Sequence, residues 1–260
     1  LLASGFSHPQ LGKNLYLHPA HLVIAKYPEA IESWRGGMMT SFNDHAVNLD
    51  GMGYGCKIET APLHTGLLAA TLPWRGGESH KKLMLEMPYY AAFAVINRDR
   101  HGGSVSVDRE GKPSVSYRKH RKDHQHSLHG VATAAALHSS AGAEKIIVNH
   151  HSGITFQPSE HTRRVQGTSQ IDAYLQRIRA LNWAPNAVPS FSAHQMGSCR
   201  MGGNEKSSPV RPDGRLWGVS NLYVADTSLF PSASGINPMI TAQSLARHIA
   251  LNIVPESVGR

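Results

Sequence analysis

Ser192-Ala193-His194-Gln195-Met196-Gly197-Ser198-Cys199-Arg200-Met201-Gly202, joined later by Gly235-Ile236-Asn237-Pro238, is the stretch on which the reading of this chain turns. A histidine followed by small, glycine-flanked residues marks backbone that must approach something closely. Histidine also takes up a proton most readily near neutral pH, because its ordinary pKa lies near ~6.5. On residue type alone, a hydrogen-bonded core histidine is the simpler reading of His194, since the chain holds 17 His.

The neighbouring segments add weight. Leu222-Tyr223-Val224-Ala225-Asp226 reads as a strand ending in an acidic residue. Asn237 is a good N-cap, and Pro238 at the first helical position is preorganised without losing a hydrogen bond. The helix that follows carries Ala242, Leu245, Ala246, Ile249 and Ile253 at helical period. Its start offers backbone N–H groups and a positive dipole end, suited to an anionic ligand. An ordinary strand–loop–helix connection accounts for the same pattern.

Working outward, Ser104–Val107 and Ser114–Tyr117 alternate small polar with apolar residues around the turn-rich Asp108–Pro113. That pattern predicts a β-hairpin with one face buried. Lys122–Ser140 is helical in period and is stopped by Gly142. Ile146–Val148 predicts a short buried strand, and Ser169–Leu181 a second helix capped by Thr168 or Ser169. Gly51–Gly55 is a turn leading into a strand at Cys56–Thr60, and the His18-Pro19 step disfavours helix. Strands and helices mix without strict alternation, so the expected class is α+β rather than a doubly wound sheet.

Composition sets the outer bounds. A chain of 260 residues with 40% hydrophobic and 17% charged residues is long and apolar enough to bury a sizeable core. No apolar run reaches the ~20 residues that a membrane-spanning helix requires. Cys56 and Cys199 lie far apart and predict free thiols, which favours a reducing compartment and, on balance, the cytoplasm. The formal charge of +8 raises the question of nucleic acid, above all at Arg118-Lys119-His120-Arg121-Lys122. Aromatic residues do not interleave with that cluster, so a solvated loop and helix start is expected and no nucleic-acid partner. The histidine spacings complete no recognisable zinc set, and no metal is expected. Opening on Leu1-Leu2-Ala3, without Met, the sequence reads as a piece of a longer protein.

Taken together, Ser192–Gly202, Arg215–Val219, Asn221–Pro231 and Gly235–Thr241 resemble the C-terminal signature of glucose–methanol–choline oxidoreductases. Leu1–Gly5 and Leu11–Pro19 resemble the family's handover from flavin domain to substrate domain. Gly55–Thr60, Phe93–Tyr117 and Ala141–Val148 look most like the long-chain fatty alcohol oxidase branch.

The resemblance implies an antiparallel-sheet substrate domain with helices plus the C-terminal strand–loop–helix segment of an FAD-binding domain. The implied division is 1–20 as the end of the FAD-binding domain, 21–190 as the substrate domain and 191–260 as the active-site segment. It makes His194 the group that accepts the alcohol proton and Asn237 its partner on the same oxygen, with Glu59 as a third candidate. FAD is the implied cofactor, with Asp226 and Thr227 toward its ribityl or pyrophosphate portion and Asn237, Pro238 and Met239 at its ring. A lipid-like primary alcohol is the implied substrate, which the apolar Leu67–Leu72 and Ala91–Ile96 would suit, and peripheral membrane association is compatible with it. A lyase on the same scaffold, with His194 as acid and base, is one alternative, and a basic nucleic-acid-binding module using the 118–129 cluster is the other. The family's G-x-G-x-x-G unit does not occur in these 260 residues. The N-terminal FAD-binding half is therefore expected to be a missing partner, and this polypeptide by itself to be inactive.

Overall fold

The structure, a computed structural model, describes residues 1–158, 169–184 and 187–253. In chain order the elements are β1 (Lys13–Leu15), β2 (Ala20–Lys26), β3 (Phe42–Asn43), β4 (Cys56–Ala61), α1 (Thr65–Thr71), α2 (Gly77–Leu85) and β5 (Tyr90–Asn97). They continue with β6 (Gly103–Val107), β7 (Pro113–Ser116), α3 (Arg121–Ser140), β8 (Lys145–Val148), β9 (Thr155–Phe156), α4 (Ser169–Arg179) and α5 (Met239–Ile253). The mixture of antiparallel sheets and helices is the α+β class expected. Thr168, one of the two expected caps of α4, lies outside the described residues.

The chain forms two units. One comprises Pro19–Asn97 and Arg121–Phe191, and the other Leu1–His18, Arg98–His120 and Ser192–Arg260. The hairpin segment Arg98–His120 thus belongs with the terminal segments, whereas the linear division placed it inside the sheet domain. A linear reading puts boundaries at sequence gaps, but Gly103–Val107 pairs with Lys13–Leu15.

The first unit is built on a six-stranded sheet of order β3-β4-β5-β2-β8-β9, in which every neighbouring pair is antiparallel. Alternation along the strands gives each face its own core. Val23, Ala25, Ile58, Val95 and Ile146 pack with Val131, Ala132 and Ala135 of α3 and with Leu175 and Ile178 of α4. Ile24, Ala92 and Ile147 pack on the opposite side with Leu63, Leu68 and Leu72 around α1. The apolar stretches that suited a lipid-like alcohol are therefore spent largely on this core, where Leu68, Leu72, Ala92, Val95 and Ile96 are all buried. Gly130 lets α3 lie close to the sheet, because a Cβ there would meet Val95 Cγ1 at 2.4 Å and Cys56 Sγ at 2.6 Å.

His138 of α3 is a core histidine with no solvent exposure. Its Nε2 lies 3.2 Å from the Val23 carbonyl, and its Nδ1 lies 2.9 Å from the Tyr27 hydroxyl. A neutral ring that donates from Nε2 and accepts from Tyr27 satisfies both contacts. Burial lowers its pKa from 6.5 to about 4. The unfolded chain therefore binds this proton first as pH falls, so the linked stability is present above about 6.5 and is lost toward about 4. Urea titrations across that window are expected to show a loss of up to about 3 kcal/mol, which His138→Gln should flatten. Equal slopes in the two proteins would remove His138 as the cause.

The second unit holds the three-stranded sheet β1-β6-β7. The hairpin forms in the expected register, with Val105 opposite Val115 and Val107 opposite Pro113. The buried face expected for it is absent: Val107 is 37% exposed and Val115 60% exposed, and all of β7 is exposed. The three-stranded sheet places no described element over these valines. The strand expected at Leu222–Asp226 is also absent. That segment is extended but makes only an isolated bridge between Tyr223 and Arg215, and one contact is too little for a ladder. Its core partners are Leu11, Cys199, Val210, Leu216, Leu229 and Ile249, against which Tyr223 and Val224 pack.

Candidate active site

The site is assembled within the second unit, from three segments brought to one small apolar cluster. Tyr16, Met196, Phe230 and Ala233 form that cluster, with Leu245 of α5 packed against it. Tyr16 and Met196 exchange both backbone hydrogen bonds at 2.9 Å. The Met196 sulfur also accepts from the Ser234 N–H at 3.4 Å. His194 therefore stands two residues from the cluster on one side, and Asn237 four residues beyond Ala233 on the other. Gly197 makes the close approach possible. Its φ is 82°, and a Cβ there would fall 2.4 Å from the Asn14 carbonyl oxygen.

His194 has a partner that residue type and spacing did not reveal. Its Nδ1 lies 3.0 Å from Nδ1 of His18, with ring centroids 5.1 Å apart. His18 is 1% exposed and occupies the left-handed region at φ 50°. The Pro19 step correctly argued against helix but did not foresee this conformation, which histidine tolerates better than most residues. Asp99 holds it there. Its carboxylate accepts from the backbone N–H of Leu17 at 2.9 Å and of His18 at 3.2 Å, and from the Tyr117 hydroxyl at 3.1 Å. Burial pushes the Asp99 carboxyl above the ordinary carboxylate range, and these donors offset only part of the cost. Ser192 completes the frame: its hydroxyl donates to the Leu17 carbonyl, and its Oγ lies 3.4 Å from the His194 N–H.

The remaining expected residues fall in three places. Asp226 does not end a strand but caps a short 3-10 turn at Thr227–Leu229, accepting from the Ser228 N–H at 2.7 Å. The Thr227 hydroxyl is committed to the Gln195 carbonyl at 2.7 Å, which ties the turn to the residue after His194. Asn237 and Pro238 precede α5, which starts one residue later than expected, at Met239. Ala242 N–H bonds to the Pro238 carbonyl at 2.8 Å, so Pro238 occupies the cap position rather than the first turn. Glu59 lies in the other unit, 3% exposed, and pairs with Lys57 at 2.8 Å. Among the described residues no group of three or more His, Cys, Asp or Glu is arranged to hold a metal. Both cysteines are free and buried. Burial, aided by the Asp226 charge, raises the Cys199 thiol to about 11, which makes it a poor nucleophile.

The start of α5 has features that the ring of the implied flavin could use. The first turn of this 15-residue helix contains no acidic residue, and its leading N–H groups have no intrahelical acceptor. Around it Ile236, Met239 and Ile240 are 54%, 64% and 65% exposed, an apolar border to a polar helix end. Such a donor set suits a flat, apolar group with an electron-rich polar edge.

Residues 99–246 match the family model for GMC oxidoreductase, and the chain belongs to that family. A long-chain-alcohol oxidase of Arabidopsis thaliana is 32% identical over 98% of this chain and 35% of its own length. A second from the same plant is 30% identical over 98% of this chain and 34% of its own. The chain thus spans about a third of these relatives. Among solved structures, pyridoxine 4-oxidase from Mesorbium loti superposes with a TM-score of 0.61 at 15% identity, covering 95% of this chain and 44% of that one. Formate oxidase gives a TM-score of 0.58 at 13% identity, covering 93% and 46%. At those identities the likeness concerns the fold.

Proposed function

We propose that this chain is the C-terminal part of an FAD-dependent oxidoreductase that converts a long-chain primary alcohol to its aldehyde, with His194 and Asn237 at the reacting oxygen. What supports the reading is that Met196, two residues after His194, and Ala233, four residues before Asn237, share one small apolar cluster. The alcohol-oxidase relatives support the substrate class.

In this reading Asn237, Pro238 and Met239 at the start of α5 would hold the ring, and Asp226 and Thr227 would hold the rest of the cofactor. When bound, the flavin supplies the two-electron acceptor for hydride from the carbinol carbon. His194 takes the hydroxyl proton at Nε2, since its Nδ1 is turned to His18. The Asn237 amide donates to the same oxygen and fixes its direction, so donor and acceptor converge on one atom.

The test is anaerobic mixing of a long-chain primary alcohol with the flavin-loaded protein formed by this chain and a dinucleotide-binding half. Loss of oxidised-flavin absorbance with release of one aldehyde per flavin is expected. Unchanged absorbance would end the proposal, and carbon–carbon cleavage without flavin reduction would favour the lyase. The 260-residue chain purified alone is expected to carry far less than stoichiometric flavin, because it has no G-x-G-x-x-G unit.

A further inference from the structure

We propose that His18 is a positioning residue that locks His194 in its Nδ1–H tautomer and so makes Nε2 the basic atom. The inference rests on the reading of His194 as the proton acceptor and adds how the ring is kept ready.

Two imidazole nitrogens facing each other at 3.0 Å leave room for one proton between them. With both Nδ1 atoms protonated, two N–H groups would point at each other. With neither protonated, two lone pairs would. One ring must donate and the other accept, and the proton's position fixes both tautomers at once.

The direction follows from the charged state. A His194 that has gained a proton at Nε2 carries hydrogen on both nitrogens, so its Nδ1 must donate and His18 Nδ1 must accept. If neutral His194 already donates from Nδ1, it gains and loses the Nε2 proton without any other hydrogen moving. In the opposite arrangement Nε2 of neutral His194 carries the hydrogen, and the ring cannot act as a base toward substrate. Isolated histidine favours that second, Nε2–H form, so the useful tautomer must be imposed.

His18 is held in position to serve as that acceptor. Its ring is nearly sealed from solvent, at 1% exposure, and its backbone is fixed by the Asp99 carboxylate on two successive N–H groups. Ser192, two residues before His194, binds the carbonyl of Leu17, one residue before His18. The two histidine segments are thereby held in register, and neither ring can swing without breaking a shared contact.

The experiment is nitrogen NMR on the chain labelled with 15N-histidine, which needs no flavin. A through-bond coupling between the two Nδ1 atoms is expected, with the hydrogen on His194. In His18→Ala the His194 signals should move toward the Nε2–H pattern. His18→Asn should restore the Nδ1–H pattern, because Asn Oδ1 lies the same number of bonds from the backbone as His Nδ1 and asparagine tolerates positive φ. In the flavin-loaded protein kcat should fall roughly tenfold to a hundredfold in His18→Ala, with KM nearly unchanged, and recover in His18→Asn. His194 signals that do not move in His18→Ala would overturn the proposal and leave His194 as a base untouched, whereas a hydrogen residing on His18 would overturn it and take Nε2 of His194 out of the base role as well. A coupling in the expected direction, together with full turnover by His194→Ala, would uphold the lock and defeat the catalytic reading.

Discussion

Replacing His194 with alanine in the flavin-loaded protein is expected to lower kcat for a long-chain primary alcohol by roughly 10²- to 10⁴-fold, the span of a lost general base. An alcohol cannot release hydride while its oxygen keeps its proton at neutral pH, and water is a far weaker acceptor than imidazole. His194→Gln should fare little better, since an amide can orient the hydroxyl but cannot take its proton. KM should change much less than kcat, because the interaction grows as negative charge develops on oxygen. The fold should survive, since the backbone at this point is held by Tyr16–Met196 and by the Thr227 hydroxyl on Gln195 rather than by the imidazole. Steady-state kinetics with far-ultraviolet circular dichroism decide the matter. A loss of less than about fivefold in a well-folded variant would mean that the proton leaves by another route.

How far such a site can be read without coordinates depends on whether its determinants are local. The long helices α3 and α4 and the hairpin pairing of Ser104–Val107 with Ser114–Ser116 were legible, because period and turn chemistry are written in contiguous residues. His194 and Asn237 stand out as candidates for a similar reason: each is embedded in a short run of small residues or a helix-start signal. What failed were features set by distant partners. Leu222–Asp226 has the composition of a strand, yet a strand exists only if a neighbour supplies a ladder, and Arg215 supplies one bridge. The hairpin has the alternation of a half-buried sheet, but its own sequence cannot say what covers Val107 and Val115. His18 was missed because its partner lies 176 residues away and its conformation is imposed by Asp99, 81 residues on. One local cue was present: a histidine before proline cannot rest in a helix, so its side chain must be placed by something else.

Asp99→Ala is expected to destabilise the fold by about 2–4 kcal/mol, because it strands two buried or partly buried backbone N–H groups and a tyrosine hydroxyl at one stroke. His18 also occupies a left-handed conformation that is sparsely populated without support. Asp99→Asn keeps one carbonyl oxygen, so one N–H remains satisfied, but the new NH₂ faces the other donor. Roughly half the loss should therefore persist. Tyr117→Phe removes only the third donor and should cost about 1 kcal/mol. The pH dependence has the opposite sign to that of His138. Burial raises the Asp99 pKa in the folded state, so its linked stability is fully present below the unfolded carboxylate pKa and is lost as pH rises through the folded one. Asp99→Asn should abolish that slope on the acid side while leaving the His138 slope between about 6.5 and about 4 in place. Because the same carboxylate fixes His18, Asp99→Ala should also release His194 toward its Nε2–H tautomer, and the 15N spectrum would show it. A destabilised variant whose His194 signals stay in the Nδ1–H pattern would separate the two roles, making Asp99 a brace for the chain alone and leaving the histidine pair to hold itself.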